Sequence, residues 1–174
     1  GRGLRNGIVF HGQLIMRSPI NVMTFGAKGN HVQNVSTGAD DAPAIQKAIN
    51  YARSQYHGAV VFPNASGYRL ASPLDVTATS DIQFIGEGGT DHSYGLLYPD
   101  HTDHVFDCAG SSNLDFRNIS VRPVNDAINK PKTAWFLARN AAKSSAGDHH
   151  FSRCYTYGKY SAAAVYSYAS ESNE

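Results

Sequence analysis

Charged residues and cysteines are both scarce in this chain, and each shortage excludes a class of protein. Only 17% of the 174 residues are charged, and 15 basic against 14 acidic side chains leave a formal net charge of +1. The balance argues against a polyanion-binding surface, and the basic residues are scattered, so no nucleic-acid partner is predicted. Cys108 and Cys154 form neither a disulfide framework nor a zinc-binding spacing, and we expect two buried free thiols.

Long apolar runs are also missing. No run approaches the roughly 18 residues that a membrane-spanning helix needs, so no membrane insertion is predicted. In the N-terminal stretch GRGLRNGIVFHGQLIM, His11, Gly12 and Gln13 divide the apolar residues, unlike a secretory signal. The chain starts without Met and ends directly after a strand-like run, so we expect a piece of a longer protein.

Helical periodicity is confined to one segment. Asp40 and Asp41 stand where a helix N-cap is needed, and Pro43 lies where no intrahelical N–H is required, so we interpret the two acids as caps rather than as catalytic groups. Gly58 is expected to end the helix. Between them the apolar residues recur at helical spacing: Ile45, Ala48, Ile49, Ala52 and Tyr56. With no other helix to pack against, this apolar face is expected to cover the end of a sheet.

The rest of the chain shows short period-two segments bounded by Gly, Asn, Asp, Ser or Pro, starting with a strand at Ile20, Val22 and Phe25. Between these segments, from residue 20 onward, there is no Asn-Gly or Asp-Gly pair typical of a two-residue hairpin turn. The runs DIQFIGE, NLDFRNISV and HHFSRCYTY look equivalent and are about 30 to 40 residues apart, which is typical of coils in a β-solenoid. Further runs are predicted at Leu96–Tyr98, Val105–Cys108, Leu114–Val121, Trp135–Ala138, Phe151–Tyr157 and Ala162–Tyr168.

Residues 20–89 carry four motifs in order: VMTFGAKG, DDAPAIQKAI, GAVVFPNASGYRLASPL and IQFIGEGG. Together they resemble the opening of the pectate-lyase-3 type of right-handed parallel β-helix. That opening is widespread in bacteriophage tailspikes and tail-associated polysaccharide depolymerases, and it is also similar to some pectin-degrading enzymes. The chain departs from it at Asn30, where Asp is usual, in the extra residues 32–39, and at Ala42–Pro43, where Thr–Ala is common.

The predicted fold is therefore all-β, a right-handed parallel β-helix (β-solenoid) with an N-terminal capping α-helix. Residues 1–19 are assigned to an arm or linker. Residues 20–174 are assigned to the N-terminal portion of the β-helix domain.

The resemblance implies a phage tailspike-like protein that recognises its host by binding and depolymerising a bacterial surface polysaccharide. It also implies a homotrimer in the virion, joined through the arm to other tail or baseplate proteins. Two alternatives stay open: a secreted pectin-type polysaccharide lyase or glycoside hydrolase, and a non-enzymatic structural tail component. The choice between hydrolase and lyase is open as well, and the active site is expected to extend beyond this piece.

Catalytic residues are sought among outward carboxylates. Glycoside hydrolysis uses two carboxylates roughly 5 to 10 Å apart, and neighbouring strands lie about 4.8 Å apart, so acids on nearby coils fit that range. If Leu114 and Phe116 point inward, Asp115 and Arg117 point outward. The candidates are Asp115, Asp148 and Glu171, with Asp107 in a comparable position.

Other chemistry is less well supported by the sequence. One stretch is dense in possible ligands, but its spacing matches no metal template, so no metal is predicted: Asp91, His92, Asp100, His101, Asp103, His104 and Asp107. The glycines at 86–89 precede no helical pattern, so no nucleotide cofactor is predicted either. Five of the ten tyrosines fall between Tyr155 and Tyr168 and form either a glycan-stacking platform or, as we favour, ordinary strand positions.

Overall fold

The computed structural model describes residues 18–32, 37–55, 58–88, 95–124, 130–138 and 147–168. Tyr56, Asp91, His92 and Glu171 lie outside these ranges. The elements are one α-helix, α1 (Ala42–Ser54), and the strands β1 (Ile20–Asn21), β2 (Gly58–Phe62), β3 (Tyr68–Leu70), β4 (Leu74–Asp75), β5 (Ile82–Gly86), β6 (Leu96–Pro99), β7 (Phe106–Asp107), β8 (Asp115–Arg117), β9 (Ser120–Val121), β10 (Trp135–Ala138), β11 (His150–Ser152), β12 (Tyr155–Thr156) and β13 (Val165–Tyr168).

The strands form three parallel sheets in which, apart from β1 and β2, strands that are consecutive in the chain do not pair. The first sheet has the order β1-β2-β5-β8-β11, the second β3-β6-β9-β12, and the third β4-β7-β10-β13. Each turn of the chain therefore adds one strand to each sheet, and every pairing is parallel. This is the predicted parallel β-helix, with the right-handed crossover that parallel connections adopt.

The register confirms that the three similar runs are equivalent. Val60 pairs with Phe84, Phe84 with Phe116, and Phe116 with Phe151. The residue numbers of these partners differ by 24, 32 and 35, so successive coils have unequal lengths. The strands of successive coils therefore stay in register, while the connections between them vary in length.

The core is a column of stacked aromatic rings inside the coils. Phe84 and Phe116 stack with centroids 4.8 Å apart, and Phe116 stacks on Phe151 at 5.2 Å. A second column, Phe106 and Trp135, meets the first edge to face, with Phe106 5.2 Å from Phe116. Offset and edge-to-face pairs of this kind stabilise beyond the area they bury.

The helix α1 covers the base of this core, as the sequence predicts. Ile45, Ala48, Ile49 and Ala52 are fully buried, and α1 contacts β1 to β4, which include strands of all three sheets. Within the ranges given above, no helix is both long and apolar enough to cross a lipid bilayer.

The paired acids at the start of α1 bind different groups from those expected. Asp41 holds the N-cap position, but its carboxylate makes no capping bond; it accepts hydrogen bonds from the backbone N–H groups of Lys28 (2.6 Å) and Gly29 (3.0 Å). Asp40 accepts from Ala42 N–H at 3.1 Å, which is a helix-start contact. The capping interpretation is therefore wrong for the Asp41 side chain, because the FGAKG turn folds back onto it.

Several predicted boundaries are also wrong. The first strand ends at Asn21, whose side chain accepts from Met23 N–H and starts a 3-10 turn over Val22–Phe25. The helix ends at Ser54, and Gly58 instead begins β2. The run at 114–121 is two strands rather than one, because Asn118 has a positive φ of 54° and turns the chain, and Arg153 (φ 51°) does the same in the next coil.

The last described coil leaves inward side chains uncovered. Phe151 and Val165 continue inward rows but remain 37% and 48% exposed, because no described strand lies beyond them. Both cysteines are free; Cys108 is buried as predicted, whereas Cys154 in this coil is only half-buried. Burial raises the pKa of both thiols, so neither is an activated nucleophile.

Candidate functional site

The outward side chains of the first sheet include Asp115. Ala59, Gln83, Asp115 and His150 are register partners on successive coils. One Asp115 oxygen accepts hydrogen bonds from Nε (2.8 Å) and Nη2 of Arg117, and the other is enclosed without a partner in the described part of the chain. The outward orientation is as predicted. Neither register neighbour is a carboxylate, however, so this row lacks the second acid that hydrolysis requires.

Asp148 lies in a turn rather than in the row of Asp115. Asp81, Asn113 and Asp148 have positive φ values of 60°, 52° and 60°, and each precedes a strand of the first sheet at an equivalent place. The Asn113 side-chain amide donates to Asp81 Oδ1. Short polar residues tolerate this backbone region best, which explains Asp148 by turn geometry. A catalytic role for Asp148 or Glu171 stays a prediction, since Glu171 falls outside the described ranges.

The third sheet presents a second outward row, formed by Asp75, Asp107, Phe136 and Tyr166, which we name the carboxylate–aromatic row. Asp75 pairs with Asp107, Asp107 with Phe136, and Phe136 with Tyr166. The two acids therefore lie on adjacent coils, about 4.8 Å apart along the sheet. This places Asp107 beside a second carboxylate, as the search for outward acids required.

The two acids of the row differ in their partners. Asp75 accepts from Thr77 N–H (2.8 Å), Thr77 Oγ1 (2.6 Å) and Arg53 Nη2 (3.3 Å). Burial would raise the pKa of Asp75, but these donors outweigh burial and leave the pKa below its ordinary value. Asp107 accepts only one weak bond from Ala109 N–H, at 3.2 Å, among the described groups. Asp107 is therefore the acid with more capacity for an external hydroxyl group.

The aromatic half of the row is stacked along the helix axis. His104 lies 4.1 Å from Phe136 with ring planes 16° apart, and Phe136 lies 5.5 Å from Tyr166 at 18°. Both faces of Phe136 are thus covered, so it presents its edge to solvent. Tyr166 is 41% exposed and has one covered face. The described part of the row offers ring edges and two carboxylates to a bound molecule.

The His- and Asp-rich stretch has structural partners instead of a metal-like arrangement. Asp100 accepts from Arg69 Nε and Nη2 at 2.8 and 2.7 Å. Asp103 accepts from Lys132 Nζ at 3.2 Å, and His101 Nδ1 accepts from Asp103 N–H. In the described part of the chain, no three His, Cys, Asp or Glu side chains are grouped to hold one metal ion.

A buried polar cluster joins the loop before α1 to the second sheet. The His31 ring packs 4.4 Å from Tyr98, and its Nδ1 lies 2.7 Å from the carbonyl oxygen of Thr37. His31 is 1% exposed, and its Nε2 has no partner among the described residues. Burial lowers the pKa of His31, so the neutral ring is the stable form. The loop is held in place by an uncharged histidine.

This cluster predicts a pH dependence of stability. A histidine whose folded pKa lies below 6.5 binds fewer protons folded than unfolded, so the free energy of unfolding falls as pH drops through 6.5 towards the folded value. The same direction applies to His101, His104 and His149, whose pKa values burial also lowers. The His31→Phe variant keeps an aromatic ring against Tyr98. On acidification from about pH 7.5 to 5.5, we expect its free energy of unfolding to fall by less than that of the wild type. Urea unfolding at several pH values measures this, and equal losses in the two proteins would contradict it.

The tyrosines of residues 155–168 whose side chains are described have separate partners. Arg122 lies over the Tyr157 ring at 5.7 Å, the Tyr160 hydroxyl donates to the carbonyl of Val121 at 3.3 Å, and Tyr166 belongs to the carboxylate–aromatic row. Tyr155 and Tyr168 lie in strands β12 and β13. Only Tyr166 of this set therefore combines an outward strand position with the candidate row.

Sequence reasoning missed Asp75 and Phe136 as members of a site. A signal was present: Leu74–Asp75 and Phe106–Asp107 are both an apolar residue followed by Asp, each with a backbone N–H two residues later bonded to the carboxylate. The repeat is short: it covers two strand residues and occurs twice, 32 residues apart. Phe136 shows no pattern of its own and joins the row only through strand register.

Comparison with known proteins supports the fold. No family model matches the chain, and no curated protein matches it. Two solved structures do: the A-modules of the Azotobacter vinelandii mannuronan C-5 epimerases AlgE4 and AlgE6, each 23% identical with a TM-score of 0.58. The matches cover 78% and 80% of this chain but only 37% and 39% of those chains. At this identity the likeness concerns architecture alone: the chain shares the right-handed parallel β-helix fold with these two modules.

Proposed function

We propose that this chain is part of a β-helix protein that binds a polysaccharide and chemically modifies it. The observation that carries the proposal is the carboxylate–aromatic row, in which two acids and two rings lie in line on four successive coils. A polymer with repeating hydroxyl groups matches such a surface, because carboxylates accept hydrogen bonds from hydroxyls and exposed rings pack against the C–H faces of sugars. The two fold matches, both named as mannuronan epimerases, support this class of ligand.

Within this class, we propose a phage tailspike-like role in which the protein binds and depolymerises a bacterial surface polysaccharide. The support is the order of the motifs at residues 20–89. The same proposal includes a homotrimer, a location in the virion, and attachment through residues 1–19 to tail or baseplate proteins. The chain spans less than two fifths of the epimerase modules it resembles. The assignment of residues 20–174 to the N-terminal portion of a longer β-helix domain is therefore part of the same proposal.

A secreted polysaccharide-modifying enzyme is the second candidate. It is favoured by the two structural matches, neither of which is named as a phage protein. Secretion sequences or tail genes in the complete gene and its neighbourhood separate the two. A purely structural role predicts no glycan binding at all, and the binding experiment below decides it.

The experiment measures polysaccharide binding and cleavage by the 174-residue chain. Bacterial capsules, lipopolysaccharides and purified neutral and acidic polysaccharides are immobilised, and both retention of the protein and release of oligosaccharide are recorded. We expect retention on at least one of them. Asp107→Asn, which keeps an acceptor for Ala109 N–H but removes the charge, should weaken that binding about tenfold through loss of a charge-assisted hydrogen bond.

Glu87→Gln is the matched control, since Glu87 is exposed and lies outside the row; its binding should equal that of the wild type. If the wild-type chain binds none of the polysaccharides, the proposed function is wrong. If Asp107→Asn binds as well as Glu87→Gln, the row is the wrong surface.

A further inference from the structure

We propose that a groove at the helix-sealed base of the β-helix binds an uncharged saccharide unit. The inference rests on the proposed polysaccharide-binding function and adds a second binding site to it. The groove has a volume of about 540 Å³ and lies between β1, the 3-10 turn after it and the second half of α1. None of its lining residues belongs to the carboxylate–aromatic row.

Two aromatic rings form one wall of the groove. The centroids of Phe25 and Tyr51 are 5.6 Å apart, and their planes are tilted by 45°. Tilted rings do not cover each other's faces, in contrast to Phe136 in the row above. Tyr51 is 48% exposed although it stands on the helix that seals the core. An exposed tyrosine face with a polar tip is suited to the mixed apolar and hydroxyl surface of a sugar ring.

Polar groups surround these rings. Asn21 lines the groove, and its side-chain oxygen accepts from Met23 N–H at 2.8 Å, so its amide nitrogen is the group left to donate to a ligand. The exposed side chains of Ser18 and Thr24 also line it, and neither hydroxyl has a hydrogen-bond partner in the described residues. An amide donor and two hydroxyls can each bond a sugar hydroxyl, and each hydroxyl can donate or accept.

The charge and size of the groove define the ligand class further. Every described residue that lines it is uncharged, so the described lining gives an anionic sugar such as a uronate no counter-charge in exchange for the hydration it would lose. The volume falls within the roughly 300 to 1,000 Å³ of small-molecule sites. A neutral sugar unit of a polysaccharide fits both limits.

The test is isothermal titration of the 174-residue chain with neutral hexaoses of glucose, mannose and galactose, and with hexamers of mannuronate and galacturonate. We expect binding of at least one neutral hexaose in preference to the uronate hexamers. Tyr51→Ala should weaken that binding about tenfold, which is about 1.4 kcal/mol and lies within the range of an aromatic contact. Tyr51→Phe keeps the ring and should lose less.

Lys47→Ala is the matched control on the same helix, since Lys47 is exposed and does not line the groove; its affinity should equal that of the wild type. Unchanged affinity in Tyr51→Ala, with binding retained, overturns the groove proposal and leaves the proposed function standing. Absence of any hexamer binding by the wild type overturns the groove proposal alone, because the proposed function is decided separately by retention on the immobilised polysaccharides. Neutral-hexaose binding that appears only after residues 1–17 are removed also overturns it, because the groove would then hold this chain's own N-terminal residues.

Discussion

Replacement of Phe116 by alanine should reduce the free energy of unfolding by about 3 to 5 kcal/mol, as expected for a fully buried phenylalanine. Phe116 is 0% exposed and stacks between Phe84 and Phe151. It also meets Phe106 and Trp135 edge to face. The substitution removes ring contacts in both aromatic columns at once and leaves a cavity that the parallel strands cannot close by moving together, because their hydrogen-bond spacing is fixed.

The matched control is Phe151→Ala in the same inward row. Phe151 is 37% exposed on the last described coil, so a smaller loss, roughly 1 to 2 kcal/mol, is expected there. Equilibrium unfolding in urea, followed by the fluorescence of the single tryptophan Trp135, measures both. If both variants lost the same free energy of unfolding, the contacts of Phe116 within the aromatic column would not be what makes this position more stabilising than Phe151.

Replacement of Asp41 by alanine has the second largest expected effect, a loss of about 3 kcal/mol of unfolding free energy. The Asp41 side chain binds the N–H groups of Lys28 and Gly29, while its own N–H donates to the carbonyl oxygen of Arg69 at 2.8 Å. Asp41 thus joins the FGAKG turn, the start of α1 and strand β3. The alanine variant leaves the buried Gly29 N–H and the partly buried Lys28 N–H without an acceptor, and a buried donor without a partner costs about 1 to 3 kcal/mol.

Asp40→Ala is the neighbouring control. The exposed Asp40 side chain accepts from Ala42 N–H (3.1 Å) and Ala71 N–H (3.0 Å), so we expect a loss nearer 1 kcal/mol, typical of a helix-start contact. Thermal or urea unfolding compares the two variants. Hydrogen exchange adds a local measure, since the Lys28 and Gly29 amides should exchange faster only in Asp41→Ala. A greater loss in Asp40→Ala would reverse the roles assigned to the two acids.

The repeat DIQFIGE, NLDFRNISV and HHFSRCYTY was sufficient to predict the inward rows, because alternation places Phe84, Phe116 and Phe151 on one side of their strands. The capping helix was predictable for the same kind of reason, from an apolar face at helical spacing. The role of Asp41 was not, since its partners lie 12 and 13 residues earlier in a turn whose path the local pattern does not contain.

The candidate site was predicted only in part. Asp115 and Arg117 face outward as alternation required, yet they bind each other, and Gln83 and His150 are the register neighbours of Asp115. Asp107 has a carboxylate neighbour, Asp75, because the two residues are register partners in the third sheet. Neither result follows from residue type, because which side chains become neighbours depends on how many residues each coil uses to return to the same sheet.

The sequence by itself determined the class of fold and which residues enter the core, since these depend on short-range alternation and on one amphipathic helix. The tertiary structure alone decided which outward residues form a row and which groups line the groove beside Tyr51. The physical reason is that stacked strands must match in register, whereas the connections between them are free to differ. The first-sheet partners Val60, Phe84, Phe116 and Phe151 are therefore 24, 32 and 35 residues apart, whereas Asp75, Asp107, Phe136 and Tyr166 of the third sheet are 32, 29 and 30 residues apart.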